Sequence, residues 1–506
     1  MNFLKKRLPY LVMALAGIMV PLSMAPYHWS ILIYFSLAYY LYGIQNSSFK
    51  QVFWLGFSYG LGLFGWGASW VFVSIYHYGN TTALIASVIT LLFIAILSLF
   101  PGLIAVTLNL VAPKYRHSRY LFIFPALWVA FEALRGWIFT GFPWLYVGYS
   151  QESLMLSYLA PYGGIWSVSY ATALMGGLFF NLFRAFNHSR LDIKKEIIIF
   201  LIGIVGLWGV SGWIKKGYQP ITLEPALEVA LVQGNIEQSM KWDADRANTI
   251  IQTYYQLSQA HLDMDLIIWP ETAIPWPIPM ANELLDNLQQ EFYSKKVYLI
   301  SGVPEYNTQN QAFNSIIALG AESHKYQKQH LVPFGEYVPL ENWIRGLIGF
   351  FDLPMSSFKS GPINQPLFEI KNFKIAPTLC YEIAYPELVR RNARGSDLLL
   401  TLSNDAWFGQ SIGPHQHLQI AQFRALENGK FLIRSTNNGW TTIINPEGKV
   451  VERLPRFEKG VLRGTVRATA YETFWNKNGP IPFIILIALF SLIGLIDQCW
   501  ARFKKY

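Results

Sequence analysis

Residues 375–382 read IAPTLCYE, so a cysteine follows directly on an apolar run with the composition of a buried β-strand. The chain has only one other cysteine, Cys499, and that residue lies in an apolar segment near the C-terminus. Cys380 therefore has no plausible disulfide partner. A lone thiol of this kind is either a structural residue of the core or a nucleophile, and the residues around it in the fold decide between the two.

The domain around Cys380 has the pattern of an α/β fold. Between residues 217 and 478, short apolar segments rich in branched residues alternate with polar stretches of helical period. This alternation predicts an αββα sandwich, in which polar chemistry gathers where strands end and loops begin. The predicted strands are 227–232, 266–269, 297–301, 315–319, 374–379, 398–402, 431–434 and 441–444, and the predicted helices are 244–262, 282–293 and 415–427.

Two charged residues of this domain are suited to activate the thiol. Glu271 follows a predicted strand in LIIWPETAIPW (266–276), and Lys328 lies in the loop sequence KYQKQHLVPFGEY (325–337). A carboxylate that takes the thiol proton raises its reactivity, because a free thiol is mostly protonated at neutral pH. An ammonium, and the backbone N–H of Tyr381, can stabilise the oxyanion formed when sulfur attacks a carbonyl. Taken alone, Glu271 could equally be a helix-capping or surface acid, and Lys328 could be a solvated loop lysine.

The overall composition is that of a membrane protein. Of the 506 residues, 52% are hydrophobic and only 14% are charged, with a mean hydropathy of +0.26. Windows nearly free of charge predict eight transmembrane helices, at 8–26, 30–44, 51–76, 81–113, 120–139, 161–183, 197–214 and 479–496. The predicted domains are a membrane domain (1–216), a soluble domain (217–478) and a last helix with its tail (479–506).

The loop charges predict the orientation of these spans. Lysines and arginines fall in the short segments 5–7, 50, 114–119, 184–195 and 502–505, all on one side if every window crosses the bilayer. Both termini are therefore predicted to be cytoplasmic and the soluble domain extracytoplasmic, with the first helix kept as an anchor. The net charge of +9 is mostly this topological signal, so we do not expect nucleic-acid binding.

Several motifs resemble those of the carbon–nitrogen hydrolase (nitrilase) superfamily. They are VQGNIEQSMKW (232–242), WPETAIPW (269–276), YQKQHLVPFGEYVPL (326–340), CYE (380–382), SNDAWFG (403–409) and RALENGKFLIRSTNNG (424–439). With its eight predicted spans, the whole chain resembles one family in this group, the apolipoprotein N-acyltransferases of the bacterial inner membrane. The resemblance makes 217–478 a nitrilase-like catalytic domain that faces the periplasm.

The resemblance also implies residue roles. Glu271 becomes the general base, Lys328 the oxyanion stabiliser and Cys380 the nucleophile of a Glu-Lys-Cys triad. Supporting or substrate-binding roles are implied for Glu336, Tyr381, Glu382 and Trp242. From the residues alone, Glu336 could equally form a salt bridge of no catalytic consequence, and Trp242 could be a core residue.

The implied reaction is a ping-pong acyl transfer at the end of lipoprotein maturation. The thioester on Cys380 follows from the lone thiol with its base and lysine. The partners follow from the resemblance: a phospholipid acyl donor, a diacylated lipoprotein whose N-terminal amine accepts the chain, and the bilayer itself. No cofactor is required, and the protein is expected to act as a monomer.

Two features of the chain suggest contacts with lipid. The segment 339–358, PLENWIRGLIGFFDLPMSSF, and the segment 273–280 are predicted to form a lid that dips into the outer leaflet, although an ordinary packed loop is the alternative. Glu132 and Arg135 lie near the outer end of the predicted span 120–139 and most simply pair with each other. A sharper hypothesis is that Arg135 holds a lipid phosphate.

Other functions are less compatible with the sequence. His415 and His417 flank Gln416 without a further clustered ligand, so they predict no metal site and are interpreted as residues of a loop or helix start. A membrane-anchored amidase differs only in that water resolves the thioester. A transporter or receptor requires a polar pathway, yet the predicted spans hold almost no ionisable residues besides Glu132 and Arg135.

Overall fold

The chain divides into two compact units in the computed structural model. It describes residues 2–45, 47–79, 81–112, 116–187, 193–241, 244–338 and 357–503. The helical unit consists of Met1–Val71, Leu84–Gln219 and Asn478–Tyr506, and the sandwich unit consists of Phe72–Ala83 and Pro220–Lys477. The bounds inferred from the sequence, 1–216, 217–478 and 479–506, stay predictions.

The helical unit contains the apolar helices. Its α-helices are Asn2–Leu22, Leu32–Ile44, Phe49–Gly67, Ala83–Val111, Phe124–Arg135, Ala160–Asn187, Ile193–Gly217 and Ile481–Phe503. Within the described residues, four helical stretches are long and apolar enough to cross a membrane: Ala83–Val111, Met155–Phe186, Ile193–Gly217 and Ile481–Trp500. Two shorter apolar helices are Arg7–Leu22 and Leu32–Ile44.

Two predicted spans are interrupted. The window 51–76 is shared between Phe49–Gly67 and a second helix, Trp70–Tyr78. The window 120–139 contains a π-helix, Arg119–Ile123, the α-helix Phe124–Arg135 and a 3₁₀ turn. The number of spans, eight, therefore stays a prediction, whereas the presence of several membrane-length helices agrees with it.

Helices Asn2–Leu22 and Phe49–Gly67 pack closely because glycines line their contact. A Cβ on Gly62 would collide with the carbonyl oxygen of Ala14, and one on Gly17 would collide with that of Tyr59. Small residues let helix backbones approach in this way where apolar burial alone cannot drive association.

The sandwich unit has two six-stranded sheets among its described residues. In chain order the strands are β1 Thr222–Gln233, β2 Leu266–Ile268, β3 Tyr298–Tyr306, β4 Ala312–Leu319, β5 His324–Gln327, β6 Phe368–Ile370, β7 Phe373–Leu379, β8 Leu398–Ser403, β9 Leu432–Thr436, β10 Thr442–Ile444, β11 Val450–Arg453 and β12 Gly460–Thr469. The strand orders are β12-β1-β2-β3-β4-β5 and β11-β10-β9-β8-β7-β6. Strands β1, β2 and β3 run parallel, as do β7, β8 and β9.

The core lies between the sheets and is built from alternate residues of each strand. In β1, Leu227, Val229 and Leu231 belong to the cluster between the two sheets, whereas Ala230 and Val232 belong to the cluster under the helices. Burial on both faces explains why these strands read as continuous apolar runs. The outer layers are the helices Ala247–Gln259 and Ile278–Ser294 on one sheet and Pro386–Asn392 and Gly413–Asn428 on the other. The layers follow the predicted αββα order.

A segment between two apolar helices completes the sandwich unit. Residues 72–83 belong to this unit although they are far from it in sequence. Ser74 Oγ donates to the carbonyl oxygen of Trp407 at 2.8 Å, and the rings of Tyr78 and Trp407 meet edge to face at 5.2 Å. The loop that follows β8 is thus held by a segment that precedes β1 by well over a hundred residues.

Candidate active site

Glu271 lies just beyond the end of β2, in a turn that a neighbouring glycine makes possible. Thr272 has a φ of +50°, and a Cβ on Gly302 of β3 would come within 2.7 Å of the Cα of Glu271. The carboxylate is 6% exposed, and its Oε1 accepts a hydrogen bond from Asn314 Nδ2 at 2.9 Å. Burial and this bond fix the orientation of the carboxylate.

Lys328 follows directly on β5 and is almost completely buried. Its backbone N–H donates to the carbonyl oxygen of Asn314 at 2.8 Å, and its Nζ lies 2.7 Å from Glu336 Oε2 and 2.8 Å from Oε1. Asn314 Nδ2 also donates to Glu336 Oε1 at 3.0 Å. One amide group therefore joins the carboxylates of Glu271 and Glu336, and Lys328 is held between charged neighbours.

The electrostatics of this group keep Lys328 charged. Burial alone would lower the pKa of Lys328, but the negative charges of Glu336 and Glu271, and of Cys380 when ionised, outweigh it and raise the pKa. An ammonium in a site with little water is strongly stabilising for a nearby oxyanion. Lys328 is thus a permanent cation beside the thiol.

Cys380 begins a 3₁₀ helix, Cys380–Ala384, at the end of β7 and has a left-handed backbone. Its φ is +49°, a conformation that costs a residue with a side chain about 1–2 kcal/mol. Ser403 Oγ, at the end of β8, lies 3.5 Å from the sulfur. The residue is only partly buried, which leaves the thiol a route to substrate.

The surroundings of Cys380 keep its thiol protonated at rest. Burial and the charge of Glu271 raise the pKa of Cys380 to about 12, although Lys328 and the Ser403 hydroxyl act in the opposite direction. The charges of Glu271 and Lys328 therefore both act on the thiol of Cys380. A thiol with a raised pKa needs a base at the moment it attacks. Glu271 as that base, and the Glu-Lys-Cys triad as a whole, stay predictions.

Glu382 joins the strand that carries Cys380 to the loop that carries Lys328. Its Oε2 accepts from Leu379 N at 2.7 Å and from the Tyr326 hydroxyl at 2.9 Å, and its Oε1 accepts from Gln329 N at 2.6 Å and His330 N at 3.0 Å. Burial raises the pKa of Glu382 to about 7, although Lys328 and these donors lower it. Glu382 therefore ties the end of β7 to the loop that carries Lys328.

The remaining predicted residues of this domain have mixed outcomes. Tyr381 is buried, with its ring 5.2 Å from that of Tyr385. Its backbone N–H as an oxyanion donor stays a prediction. Trp242 and residues 339–356 of the predicted lid lie outside the described residues.

Lys241 is a buried cation at the site that the sequence analysis missed. Its Nζ donates to the backbone carbonyl of Glu271 at 2.6 Å, and the residue is 2% exposed. Burial lowers the pKa of Lys241 to about 8, against the raising effect of Glu271 and Cys380. It stands one residue before Trp242 in the motif VQGNIEQSMKW (232–242).

A second buried group lies behind Cys380 and was also missed. Arg434 Nη2 donates to Asp405 Oδ2 at 2.8 Å, and His417 Nδ1 lies 3.1 Å from Asp405 Oδ1. His417 Nε2 lies 3.1 Å from the backbone carbonyl oxygen of Cys380. His417 lies near the start of the helix Gly413–Asn428, which agrees with its interpretation as a residue of a helix start. Only its contact with the nucleophile was unforeseen.

Glu132 and Arg135, in the helical unit, hold the chain that follows their helix. Arg135 Nη1 donates to the carbonyl oxygens of Phe142 at 2.7 Å and Trp144 at 2.6 Å, and Glu132 Oε1 accepts from Val147 N at 2.7 Å. Both residues are 4% exposed. Both side chains therefore anchor the segment from Phe142 to Val147. The contact of Arg135 with a lipid phosphate stays a prediction.

The described part of the chain contains no candidate metal-binding cluster. No group of three or more His, Cys, Asp or Glu side chains there is arranged to hold a metal ion. His417 is engaged by Asp405 and Cys380 instead.

Comparison with known proteins identifies the family of the chain. Residues 228–473 match the carbon-nitrogen hydrolase family model, and residues 16–178 match the apolipoprotein N-acyltransferase N-terminal domain. An apolipoprotein N-acyltransferase of Pseudomonas aeruginosa (strain LESB58) is 42% identical over 471 residues, which cover 90% of this chain and 89% of that protein. The chain belongs to the apolipoprotein N-acyltransferase family.

Other relatives extend the match to both ends. The apolipoprotein N-acyltransferase of Vibrio parahaemolyticus is 39% identical over 519 residues and is covered in full, as is this chain. Among solved structures, Saccharomyces cerevisiae Nit3, a member of branch 10 of the nitrilase superfamily, has a TM-score of 0.38 and 18% identity over 48% of this chain and 91% of that chain. Membership of the apolipoprotein N-acyltransferase family thus rests on full-length relatives and not on the sandwich unit alone.

Proposed function

We propose that this protein transfers a fatty acyl chain from a phospholipid to the N-terminal amine of the diacylglyceryl-cysteine of apolipoproteins. The observation that carries the proposal is that the charges of Glu271 and Lys328 act on the thiol of Cys380, at the end of β7, in a chain whose relatives of nearly full length are apolipoprotein N-acyltransferases. The triad supplies acyl transfer through sulfur, and the family supplies the donor and the acceptor. The step completes lipoprotein maturation.

In the first half-reaction the enzyme becomes acylated. Glu271 takes the thiol proton as Cys380 Sγ attacks the ester carbonyl of the phospholipid, and the oxyanion is stabilised by the ammonium of Lys328. The tetrahedral intermediate collapses by breaking the ester C–O bond. The leaving alkoxide takes the proton from Glu271 and departs as a lysophospholipid, so a thioester remains on Cys380.

In the second half-reaction the amine of the acceptor resolves the thioester. The neutral α-amine attacks the thioester carbonyl, and Lys328 again stabilises the oxyanion. Expulsion of the thiolate forms the amide. The proton lost by the amine passes through Glu271 to the sulfur, which restores the resting thiol of Cys380.

Supporting roles follow from the contacts described above. Glu336 orients the ammonium of Lys328, with which it makes a buried ion pair at 2.7 Å. Glu382 and Tyr381 shape the turn that presents the sulfur. For Trp242, and for a lid formed by residues 339–358, the proposal rests on the sequence. Arg135 is proposed as a residue that binds lipid phosphate.

The setting we propose is the bacterial inner membrane. Eight spans would place both termini in the cytoplasm and the sandwich unit in the periplasm, which is supported by the membrane-length helices and by the loop lysines and arginines. The protein works as a monomer with two lipid substrates taken in turn from the bilayer. It needs no cofactor.

The proposal is tested by trapping the acyl-enzyme. The purified full-length protein is mixed with a phospholipid that carries a labelled acyl chain, and mass spectrometry locates the label. Label on the peptide that contains Cys380, absent in Cys380→Ala, supports the mechanism, whereas label elsewhere or none at all rejects it. A diacylated lipopeptide is then added. Transfer of label to its amine identifies an N-acyltransferase, and release as free fatty acid identifies an amidase-like hydrolase.

A further inference from the structure

The backbone at Cys380 requires support that the triad does not provide. Its φ of +49° lies in the left-handed region, where a residue with a Cβ is rarely found without compensating contacts. Glu271 and Lys328 act on the sulfur by charge. The carbonyl oxygen of Cys380, in contrast, is contacted by the imidazole ring of His417.

The proton on His417 can be assigned from its partners. A carbonyl oxygen only accepts, so Nε2, 3.1 Å from the Cys380 oxygen, must carry the proton. Nδ1 lies 3.1 Å from Asp405 Oδ1, which only accepts, and 3.1 Å from Arg434 Nη2, which only donates. Burial and Arg434 lower the pKa of His417, although Asp405 raises it. The proton on Nε2 therefore follows from the contact with Cys380, whichever of its two neighbours Nδ1 serves.

The other members of the cluster keep this arrangement in place. Asp405 Oδ1 accepts the hydroxyl proton of Ser403 at 2.9 Å, and its Oδ2 accepts from Arg434 at 2.8 Å. Burial would raise the pKa of Asp405, but Arg434 and His417 hold it below its usual range. Asp405, His417 and Arg434 are each at most 2% exposed. The cluster is therefore a buried support built on the ion pair of Asp405 and Arg434.

We propose that His417 is a positioning residue for acyl transfer, whose Nε2–H holds the carbonyl of Cys380 and thereby keeps the nucleophile in its left-handed conformation. Asp405 and Arg434 act through it by fixing the ring. The proposal deepens the proposed function, because it names what aims the sulfur, and it does not depend on which lipids are the substrates.

Two substitutions separate this role from mere packing. In His417→Gln the side-chain amide can take the place of Nε2 and still reach the Cys380 carbonyl. In His417→Asn the shorter amide can take the place of Nδ1, which keeps the contact with Asp405 but not the one with Cys380. A residue needed only for the core predicts the same result from both, since both replace a ring by an amide.

The test measures acylation of Cys380 by labelled phospholipid in a single turnover of the full-length protein. We expect His417→Gln to stay within about threefold of the unchanged protein and His417→Asn to fall by about tenfold or more in the acylation rate, with little change in the phospholipid concentration for half-maximal rate. The matched control is His415→Gln, two residues away, whose ring lies 3.2 Å from Arg456 Nη1 and not against Cys380. That variant should acylate at the normal rate.

The outcomes are unambiguous. Equal rates for the Gln and Asn variants, or a faster Asn variant, overturn the positioning role. Alkylation of Cys380 by iodoacetamide is measured in parallel, so that a variant that has lost its fold is recognised by a thiol as reactive as that of the unfolded chain. If the unchanged protein forms no acyl-enzyme at all, the proposed function fails; if it does and the two variants do not differ, only the role of His417 fails.

Discussion

The two sheets of the sandwich unit supply the site in different ways. The first sheet and its loops provide charges, Glu271, Lys328 and Glu336, which are joined to one another through the amide of Asn314. The second sheet provides the sulfur, set in a strained backbone whose carbonyl group contacts His417, and His417 and Arg434 both contact Asp405. One side therefore determines protonation and the other determines geometry. Substitutions on the two sides should differ in kind as well as in size.

The largest effect is expected for Glu271→Gln, which removes the base. Acyl-enzyme formation should fall by about 10²–10⁴-fold, the usual contribution of a general base. Alkylation of Cys380 by iodoacetamide at pH 8 should instead become faster, because the charge of Glu271 contributes to raising the pKa of the thiol. Slower alkylation would contradict the effect assigned to the charge of Glu271 on the pKa of the thiol.

The next effect is expected for Lys328→Met, on the same side but of opposite sign in alkylation. Loss of the ammonium should lower acyl transfer by about 10²–10³-fold, as for removal of an oxyanion donor. It should also slow alkylation of Cys380, since Lys328 lowers the pKa of the thiol. Alkylation rates of Glu271→Gln and Lys328→Met are compared over pH 7–10. A rate in Glu271→Gln that does not exceed the rate in Lys328→Met would contradict the assigned effects of the two charges.

A smaller effect is expected for Glu336→Gln, which leaves Lys328 in place but removes its closest partner. Breaking a buried pair is costly, so we expect acyl transfer to fall by about tenfold and the protein to be less stable to heat. The matched control is Glu224→Gln in β1, where the carboxylate is 74% exposed and its partner Arg467 is 37% exposed at the ion pair. That variant should change little, because surface pairs contribute about 0–1 kcal/mol. Similar losses in both variants would deny Glu336 a role in orienting Lys328.

The smallest effect is a pH dependence that arises where the two sides meet. The pKa of Glu382 is about 7, raised by burial, so the carboxylate that binds both Leu379 N and Gln329 N becomes protonated as the pH falls below 7. We expect acylation to decline about two- to threefold between pH 8 and pH 6, since one acceptor is weakened. In Glu382→Gln the rate should be lower and flat over this range. A decline that persists in the variant would assign the titration to another group.

The charged side of the site could be predicted from sequence because its residues follow strands that are easy to recognise. β2 and β7 are buried on both faces and read as apolar runs, and the polar residues just beyond them, Glu271 and Cys380, mark the ends. Lys328 is predicted from its polar loop and from the resemblance instead, because the strand before it, β5 (HKYQ), has too few apolar residues to be recognised. The strands β6, β11 and β12 were missed as well, because they are short or alternate with charged residues at sheet edges.

The supporting residues could not be predicted because they come from distant positions with no pattern of their own. Asn314 is one polar residue in the buried strand β4, and only the pairing of β3 with β4 brings it to Glu271. His417 looks like an ordinary helical histidine until the helix is packed against the end of β7.

Because residues 72–83 belong to the sandwich unit, a water-soluble fragment of this enzyme cannot be obtained simply by cutting at the ends of that unit's main segment. A fragment cut at 220 and 477 would lose the hydroxyl of Ser74 and the aromatic ring of Tyr78 that contact Trp407, two residues before the end of the SNDAWFG stretch and two after Asp405. Such a fragment should be recovered with a loosened loop beneath the sulfur. Grafting the short helix back through a flexible linker is the obvious repair.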